Sequence, residues 1–338
     1  MKELMRWSAF LGGSFLAVML GLVIYLGANR VVVIADTGKV TGMTGVSDSE
    51  ELPGHPLSLQ ESAEGETSIR IPMESAIGPE NITIENQYIG GRLVMYVRGA
   101  TGFFYENNQI TGYVEPVEKA SYTVESEGVT LYLQLSELYE YESILEEGYL
   151  QVNLYKPSER YAKVVVLDVD GSEDLNSREK EALRQTEEKL QALLEAEGIR
   201  TYSAADKDGE AGEENVLRLI DQTKASLYVS LKFDRDEDRE RFGSYVCYSS
   251  RYFRPWFTNG SFADKMEREL VTAIQGKALG LVEVEDGVLQ EISIPAAVVC
   301  PGYLSHETEG KLLLKESYQD RIAEGLCKGI LGAFEELK

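Results

Sequence analysis

The spacing of apolar residues changes near Lys156, and this change constrains the fold more than any other feature of the chain. Before it, apolar residues recur at every second position, as in Val129, Leu131 and Leu133. That spacing is typical of strands with one buried face. After it, short apolar runs alternate with segments of helical periodicity, which indicates buried strands alternating with amphipathic helices. The 338 residues are therefore predicted to form two domains of different class.

The first of these domains, residues 68–157, is predicted to be a small antiparallel β module that resembles a sandwich. Its period-two runs are separated by turn-forming pairs such as Gly90-Gly91, Asn107-Asn108 and Glu127-Gly128. Tyrosines are frequent in these runs. They could stack on sugars, or they could be ordinary strand residues.

The second domain, residues 161–338, is predicted to be an α/β domain with a mostly parallel sheet flanked by helices. Val164–Asp168 is an apolar run suited to a buried parallel strand. The segment Ser177–Glu197 carries leucines on one helical stripe and is followed by Gly198, a common helix stop. Ser261 and Asp264 resemble a capping box and predict the start of another helix.

An uncharged run, Trp7–Ala28, is long enough to span a hydrocarbon core of ~30 Å. We predict an uncleaved transmembrane anchor at residues 7–28, with residues 1–6 cytoplasmic and the later domains outside a bacterial cytoplasmic membrane. A cleaved signal peptide is the alternative, although Leu26 would then occupy a position that prefers a small residue. Residues 29–67 lack any periodicity and are predicted to be a flexible tether.

The charge balance disfavours polyanionic partners. Against 33 Lys and Arg residues stand 57 Asp and Glu residues, a net charge of −24. Such a surface repels nucleic acid and anionic lipid, and it also repels anionic wall polymers unless divalent cations bridge them. The same charge could serve solubility alone. The three cysteines form at most one disulfide, so the chain is not a disulfide scaffold.

Four segments of the second domain carry a family resemblance. They read KVVVLDVDGS at 163–172, LYVSLKFD at 227–234, GSYVCYSS at 243–250, and IPAAVVCPGYLSHETEGKLLLKESYQDRIAEGLCKGI at 294–330. Together they resemble the zinc-dependent N-acetylmuramoyl-L-alanine amidases, which cut the sugar–peptide bond of peptidoglycan. The closing segment is the most specific match. The resemblance implies an amidase-like fold and a function in the bacterial cell wall.

In that family, three protein ligands hold a zinc ion that lowers the pKa of its bound water to roughly 7, and a carboxylate acts as general base. The resemblance places the ligand positions on Gly171, Glu179 and Lys232, and the general-base position on Cys300. Among these, only Glu179 retains the family's residue. The resemblance thus implies a zinc cofactor, whereas the residues present predict its absence and leave no confirmed catalytic residue.

Glu179 lies four residues before Leu183, on the helix face that is predicted to pack inward. A buried carboxylate is costly unless it is paired. We therefore predict an ion pair in which the Lys232 ammonium takes the place of the zinc ion beside Glu179. The alternative is that both side chains extend into solvent.

Two other sets of residues could rebuild a site. His306 precedes a predicted helix and is interpreted as a helix-start residue, while His55 lies in the predicted tether. Four carboxylates could cluster at the sheet edge: Asp168, Asp170, Glu173 and Asp234. A cluster of this kind would suit Mg²⁺ or Ca²⁺ better than zinc.

Three hypotheses of function follow. The first is a pseudoenzyme that binds peptidoglycan or an envelope hydrolase without cleaving anything. The second is an active N-acetylmuramoyl-L-alanine amidase with an atypical site. The third is a structural envelope protein in which the β module does the binding. Loss of three of the four site positions favours the first hypothesis over the second.

Overall fold

The computed structural model describes residues 31–32, 51–62, 66–170, 175–204, 212–285 and 287–337. These residues form two compact units, one ending at Tyr155 and one beginning at Lys156. The predicted anchor at residues 7–28 lies outside the described residues. Within the described residues, no helix has the length and apolar character that crossing a bilayer requires.

The first unit is built from two β-sheets, in the orders β1-β10-β11-β4-β7-β3 and β2-β8-β9-β6-β5. Neighbouring strands pair antiparallel except β3 with β7. A short helix, α1 (Gly102–Asn107), precedes β7. The strands are β1 (Val31–Val32), β2 (His55–Pro56), β3 (Leu59–Glu61), β4 (Ile69–Pro72), β5 (Ile82–Gln87), β6 (Arg92–Arg98), β7 (Ile110–Gly112), β8 (Val117–Val124), β9 (Gly128–Leu135), β10 (Glu140–Glu146) and β11 (Tyr149–Tyr155).

One apolar core joins these two sheets. Ile69 and Leu150 enter it from the first sheet, and Leu93 and Leu131 enter it from the second. The alternation of buried and exposed positions along β4 matches the period-two pattern of the sequence. This arrangement, in which two sheets share an inner face, is a β-sandwich.

The predicted tether of residues 29–67 is wrong for residues 51–62. Strands β2 and β3 fall within it and pair with β8 and β7 of the sandwich, and Leu57 between them is 5% exposed. Two- and three-residue strands are too short to show a period, and their partners lie some fifty or more residues further along the chain. Local sequence therefore carries little signal for them.

The second unit is an α/β domain, as predicted. Its main sheet has the order β13-β12-β14-β19-β15-β18, in which β13, β12, β14 and β19 run parallel and β15 runs antiparallel to β19. Its strands are β12 (Val164–Val169), β13 (Arg200–Ser203), β14 (Leu227–Leu231), β15 (Ser244–Tyr248), β16 (Phe253–Arg254), β17 (Phe257–Thr258), β18 (Ala278–Glu283) and β19 (Ala296–Cys300). Its helices are α2 (Pro157–Arg160), α3 (Ser177–Ala196), α4 (Glu213–Thr223), α5 (Asn259–Ile274), α6 (Glu307–Leu313) and α7 (Glu316–Glu336).

Helices cover both faces of this sheet. Val165, Leu167 and Val169 of β12 share one core with α3, α5 and α7. Because side chains alternate along a strand, Val164 and Val166 point to the opposite face, and α4 contacts β12. The loops at the carboxyl ends of the parallel strands are thereby left at one edge of the sheet, which is where ligand sites of such folds form.

Candidate functional site

The carboxyl ends of three adjacent parallel strands bring most of the predicted site residues together. The backbone N–H of Asp170, directly after β12, donates to the Leu231 carbonyl over 2.9 Å, and the N–H of Lys232, directly after β14, donates to the Val299 carbonyl over 2.9 Å. Cys300 is the last residue of β19. Gly171 follows Asp170 but lies outside the described residues.

Glu179 is held at the start of α3 by a reciprocal cap. The Asn176 Oδ1 accepts from the backbone N–H groups of Arg178 and Glu179 over 3.0 and 3.2 Å. In return, Glu179 Oε2 accepts from the Asn176 N–H over 2.9 Å. This capping box satisfies donors that the helix itself leaves free. It also fixes the Glu179 carboxylate at the sheet edge.

The ionic partner of Glu179 is Arg235. One guanidinium nitrogen of Arg235 donates to both carboxylate oxygens of Glu179 over 2.7 Å each. The Glu179 side chain is 10% exposed and that of Arg235 is 39% exposed. The predicted Glu179–Lys232 ion pair is therefore wrong: a cation does meet Glu179, but it comes from three residues further along the same loop.

Lys232 pairs instead with Asp170, with 3.3 Å between Nζ and Oδ2. The two residues follow neighbouring parallel strands, so their side chains meet directly, while the longer Arg235 side chain reaches the helix start. Burial disfavours the charge on Lys232 and lowers its pKa. The carboxylates of Asp170 and Asp234 favour the charge more strongly, so the pKa of the Lys232 ammonium is raised. A protonated ammonium has no lone pair to offer a metal ion.

Cys300 has the environment of a buried structural thiol. It is 1% exposed, and its Sγ donates to the Gly302 carbonyl over 3.4 Å. Burial, and secondarily the Asp234 carboxylate, raise the pKa of the thiol to about 12. Because the thiolate is the reactive form, Cys300 is a poor nucleophile at neutral pH.

The histidines do not rebuild the site. His306 is the N-cap of α6, where its Nδ1 accepts from the Glu309 N–H over 3.2 Å, and its ring stacks on Phe242 at 5.1 Å between centroids. The interpretation of His306 as a helix-start residue is confirmed. His55 lies on β2 of the other unit.

The three described carboxylates of the predicted cluster have separate partners. Asp168 Oδ2 accepts from the Tyr228 hydroxyl over 2.8 Å, and burial raises the pKa of Asp168. Asp170 pairs with Lys232, and Asp234 accepts a short hydrogen bond from the Tyr245 hydroxyl. Glu173 lies outside the described residues. The predicted cluster for Mg²⁺ or Ca²⁺ is thus not assembled from the three that are described.

Zinc does not fit the donors present at this edge. In the described part of the chain, no group of three or more His, Cys, Asp or Glu residues is arranged to hold a metal ion. The Glu179 carboxylate is engaged by Arg235 and by the helix cap. The ligand position at Lys232 holds an ammonium, and the general-base position at Cys300 holds a thiol with a raised pKa. We derive no step of hydrolysis through a metal at this site.

Sequence reasoning missed two residues that organise this edge. Arg235 lies in the charged run DRDEDRER, which is typical of a solvated loop; its only signal is its closeness to the end of a buried strand. Glu309 is buried and accepts from the backbone N–H groups of Gly243 and Tyr303 over 3.0 and 2.7 Å. A Cβ at position 302 would lie 2.5 Å from the Glu309 side chain, which explains Gly302.

Comparison with known proteins gives one family for the second unit. Residues 170–332 match the sequence profile described as N-acetylmuramoyl-L-alanine amidase, Amidase_3. The chain is 29% identical over 143 residues to the germination-specific N-acetylmuramoyl-L-alanine amidase of Bacillus subtilis (strain 168), covering 42% of this chain and 58% of that protein. It is 25% identical over 165 residues to the probable cell wall amidase LytH of Staphylococcus saprophyticus, covering 47% of this chain and 51% of that protein.

The chain therefore spans about half the length of the curated relatives it matches. Among solved structures, the second unit is similar to the catalytic domain of the amidase CwlV from Bacillus (Paenibacillus) polymyxa var. colistinus. That comparison has 22% sequence identity and a TM-score of 0.46, and it covers 52% of this chain and 99% of that one. The amidase AmiC2 of Nostoc punctiforme gives the same TM-score, 0.46, at 22% identity, covering 51% of this chain and 97% of that one.

Proposed function

Because the second unit belongs to the N-acetylmuramoyl-L-alanine amidase family, we propose that this protein works at the bacterial cell wall as an amidase-like binding protein that does not hydrolyse peptidoglycan. The proposed binding partner is peptidoglycan itself or a hydrolase that acts on it. In this function the protein shares the location and the recognition surface of the family but not its chemistry.

The observation that carries this proposal is the ion pair at the start of α3. Glu179 is the one family ligand that remains, and a guanidinium nitrogen bonds both of its oxygens at 2.7 Å. A zinc ion would have to compete with that cation for the carboxylate. Charge-assisted hydrogen bonds are roughly twice as strong as neutral ones, and the cation supplies at this point the positive charge that zinc supplies in an active amidase.

The neighbouring positions support the same proposal. Amide hydrolysis at neutral pH needs a strong nucleophile and a group that shuttles the proton. Lys232 is held by Asp170 and stays protonated, and the Cys300 thiol has a raised pKa and no imidazole at its side among the described residues. Neither can replace a metal-bound hydroxide.

Anchoring completes the proposal. The uncharged run Trp7–Ala28 would hold the chain in the bacterial cytoplasmic membrane, with both units on the outer side, where peptidoglycan lies. Mass spectrometry of the chain extracted from membranes tests this part. An intact N-terminus is expected, and a mature chain that begins near Asn29 would contradict it.

The binding and the chemistry are tested together on purified peptidoglycan. The full chain in detergent should co-sediment with the insoluble wall material, either by itself or when a wall hydrolase is present. It should release no peptide, with or without added zinc. Glu179→Ala serves as the matched variant. Release that zinc stimulates, and that disappears in Glu179→Ala, would overturn the proposal and restore an active amidase.

A further inference from the structure

The strands β16 and β17 form a small hairpin that projects aromatic side chains from the second unit. Phe253 pairs with Thr258 and Arg254 with Phe257, so only Pro255 and Trp256 form the turn. Phe257 is 1% exposed, whereas Phe253 is 72% exposed and Trp256 is 63% exposed. The hairpin therefore has one ring buried at its base and two large rings in solvent.

The base of this hairpin is fixed to the core. Tyr252 packs against the apolar core of the unit, and Phe257 and Phe262 lie in ring contact with 6.2 Å between centroids. The exposed rings are thus presented by a short turn whose flanks are anchored.

The hairpin lies at the end of the sheet opposite to the candidate site. Asn259, which follows it directly, donates to the Ser249 carbonyl and accepts from the Ala296 N–H, over 2.9 Å in each case. Ala296 begins β19, while Cys300 at the candidate site ends it. A surface that contacts the hairpin would leave the candidate site facing away from that surface.

The hairpin is also cationic in an acidic chain. The net charge is −24, yet the segment 249–258 carries Arg251 and Arg254 and no acidic residue. In the described part of the chain no carboxylate forms an ion pair with either arginine, and Arg254 lies over the Tyr252 ring at 5.9 Å. Glu283, which is in register with Tyr248, is at the same end of the sheet, so the positive charge belongs to the hairpin and not to the whole end.

We propose that this hairpin inserts its tip into the phospholipid interface of the membrane. Trp256 and Phe253 have the amphipathic and apolar character that favours the boundary between headgroups and acyl chains, and Arg251 and Arg254 can bind lipid phosphates. The acidic remainder of the chain repels an anionic bilayer at long range. The contact therefore rests on the proposed anchor, which supplies a high local concentration of the hairpin at the bilayer.

Tryptophan fluorescence of the full chain in vesicles tests the insertion. The chain has two tryptophans, so Trp7→Phe leaves Trp256 as the sole reporter. In vesicles that contain phosphatidylglycerol, the emission of Trp256 should shift to shorter wavelength and should be quenched by lipids brominated near the top of the acyl chain. Flotation of the same sample reports separately whether the anchor holds the chain.

Charge-reversal variants give the matched comparison. Arg254→Glu should weaken quenching at least about fivefold, while Arg239→Glu, the same change on an exposed loop near the candidate site, should leave it unchanged. Phe253→Ser should likewise weaken quenching, and Phe103→Ser, at a ring 76% exposed in the other unit, should not. Far-UV circular dichroism confirms that each variant is folded.

Each of the other possible outcomes would overturn one part of the proposal. A chain that floats with the vesicles but whose Trp256 is not quenched refutes the hairpin contact and leaves the anchor intact. A chain that does not float refutes the anchor, and with it this inference. Protection of Trp256 from acrylamide by peptidoglycan alone, or by raising the protein concentration without lipid, would assign the hairpin to the wall or to a second copy instead.

Discussion

Removing the guanidinium of Arg235 should destabilise the second unit. In Arg235→Ala the Glu179 carboxylate keeps its backbone bond to Asn176 but loses both contacts at 2.7 Å to a cation. Its side chain is only 10% exposed, so water replaces the lost bonds incompletely. The free energy of unfolding should fall for that reason, without any change in the apolar core.

The size of the loss follows from the exposure of the two partners. Removing one partner of a fully buried pair costs about 3–5 kcal/mol, and an exposed pair contributes about 0–1 kcal/mol. Arg235 is 39% exposed, so solvent screens the pair and the expected cost is about 1–2 kcal/mol. For a domain of this size, that corresponds to a fall in melting temperature of about 2–8 °C.

Differential scanning calorimetry of the second unit's transition in the full chain measures this change. The matched control is Arg184→Ala, since Arg184 is 36% exposed and bonds Glu181 and Glu188, which are 47% and 56% exposed; its loss should cost under about 0.5 kcal/mol. Adding Glu179→Gln to Arg235→Ala should recover part of the loss, because Gln keeps the cap and removes the unpaired charge. Equal small shifts for Arg235→Ala and Arg184→Ala would refute the pair.

Two further predictions concern buried titratable groups. The Cys300 thiol, whose pKa burial raises to about 12, should resist iodoacetamide at pH 8 in the folded chain and react in denaturant, as followed by mass spectrometry; rapid labelling of the folded chain would contradict this. Burial raises the pKa of Glu187 from 4.5 to about 7, so the protonated form stabilises the fold and that stabilisation is lost as pH rises through this range. Glu187→Gln should therefore raise the melting temperature at pH 8 but not at pH 4, and an equal shift at both pH values would contradict the assignment.

Much of the second unit could be predicted because its signals are local. The apolar run at Val164–Asp168 and the leucine stripe of Ser177–Glu197 correspond closely to β12 and α3. The predicted start of α5 at Ser261 is three residues too late. Thr258 is the N-cap, and Ser261 is the N3 residue that completes the capping box. Thr258 and Ser261 both carry the hydroxyl that is typical of an N-cap, and only the backbone conformation shows which of them is the cap.

The candidate site was predicted less well because the spacing of residues along the sequence does not show how far each side chain reaches in the fold. The strand order brings Asp170, Lys232 and Cys300 to one edge, and two of these, Lys232 and Cys300, are positions that the resemblance to the amidases singles out. Which cation pairs with Glu179 depends on the path of the loop that follows β14. Asp234 donates its N–H to the Gly302 carbonyl over 3.2 Å, and this bond sets the loop from which Arg235 reaches back to α3.

Whether zinc binds at this edge of the sheet distinguishes a binding protein from an active amidase most directly. Elemental analysis of the full chain, purified without chelators and dialysed against metal-free buffer, measures the zinc content per chain. We expect a content far below one zinc per chain, since Glu179 is engaged by Arg235 and Lys232 stays protonated beside Asp170. A near-equimolar zinc content that survives dialysis, and that falls in Glu179→Ala, would contradict it.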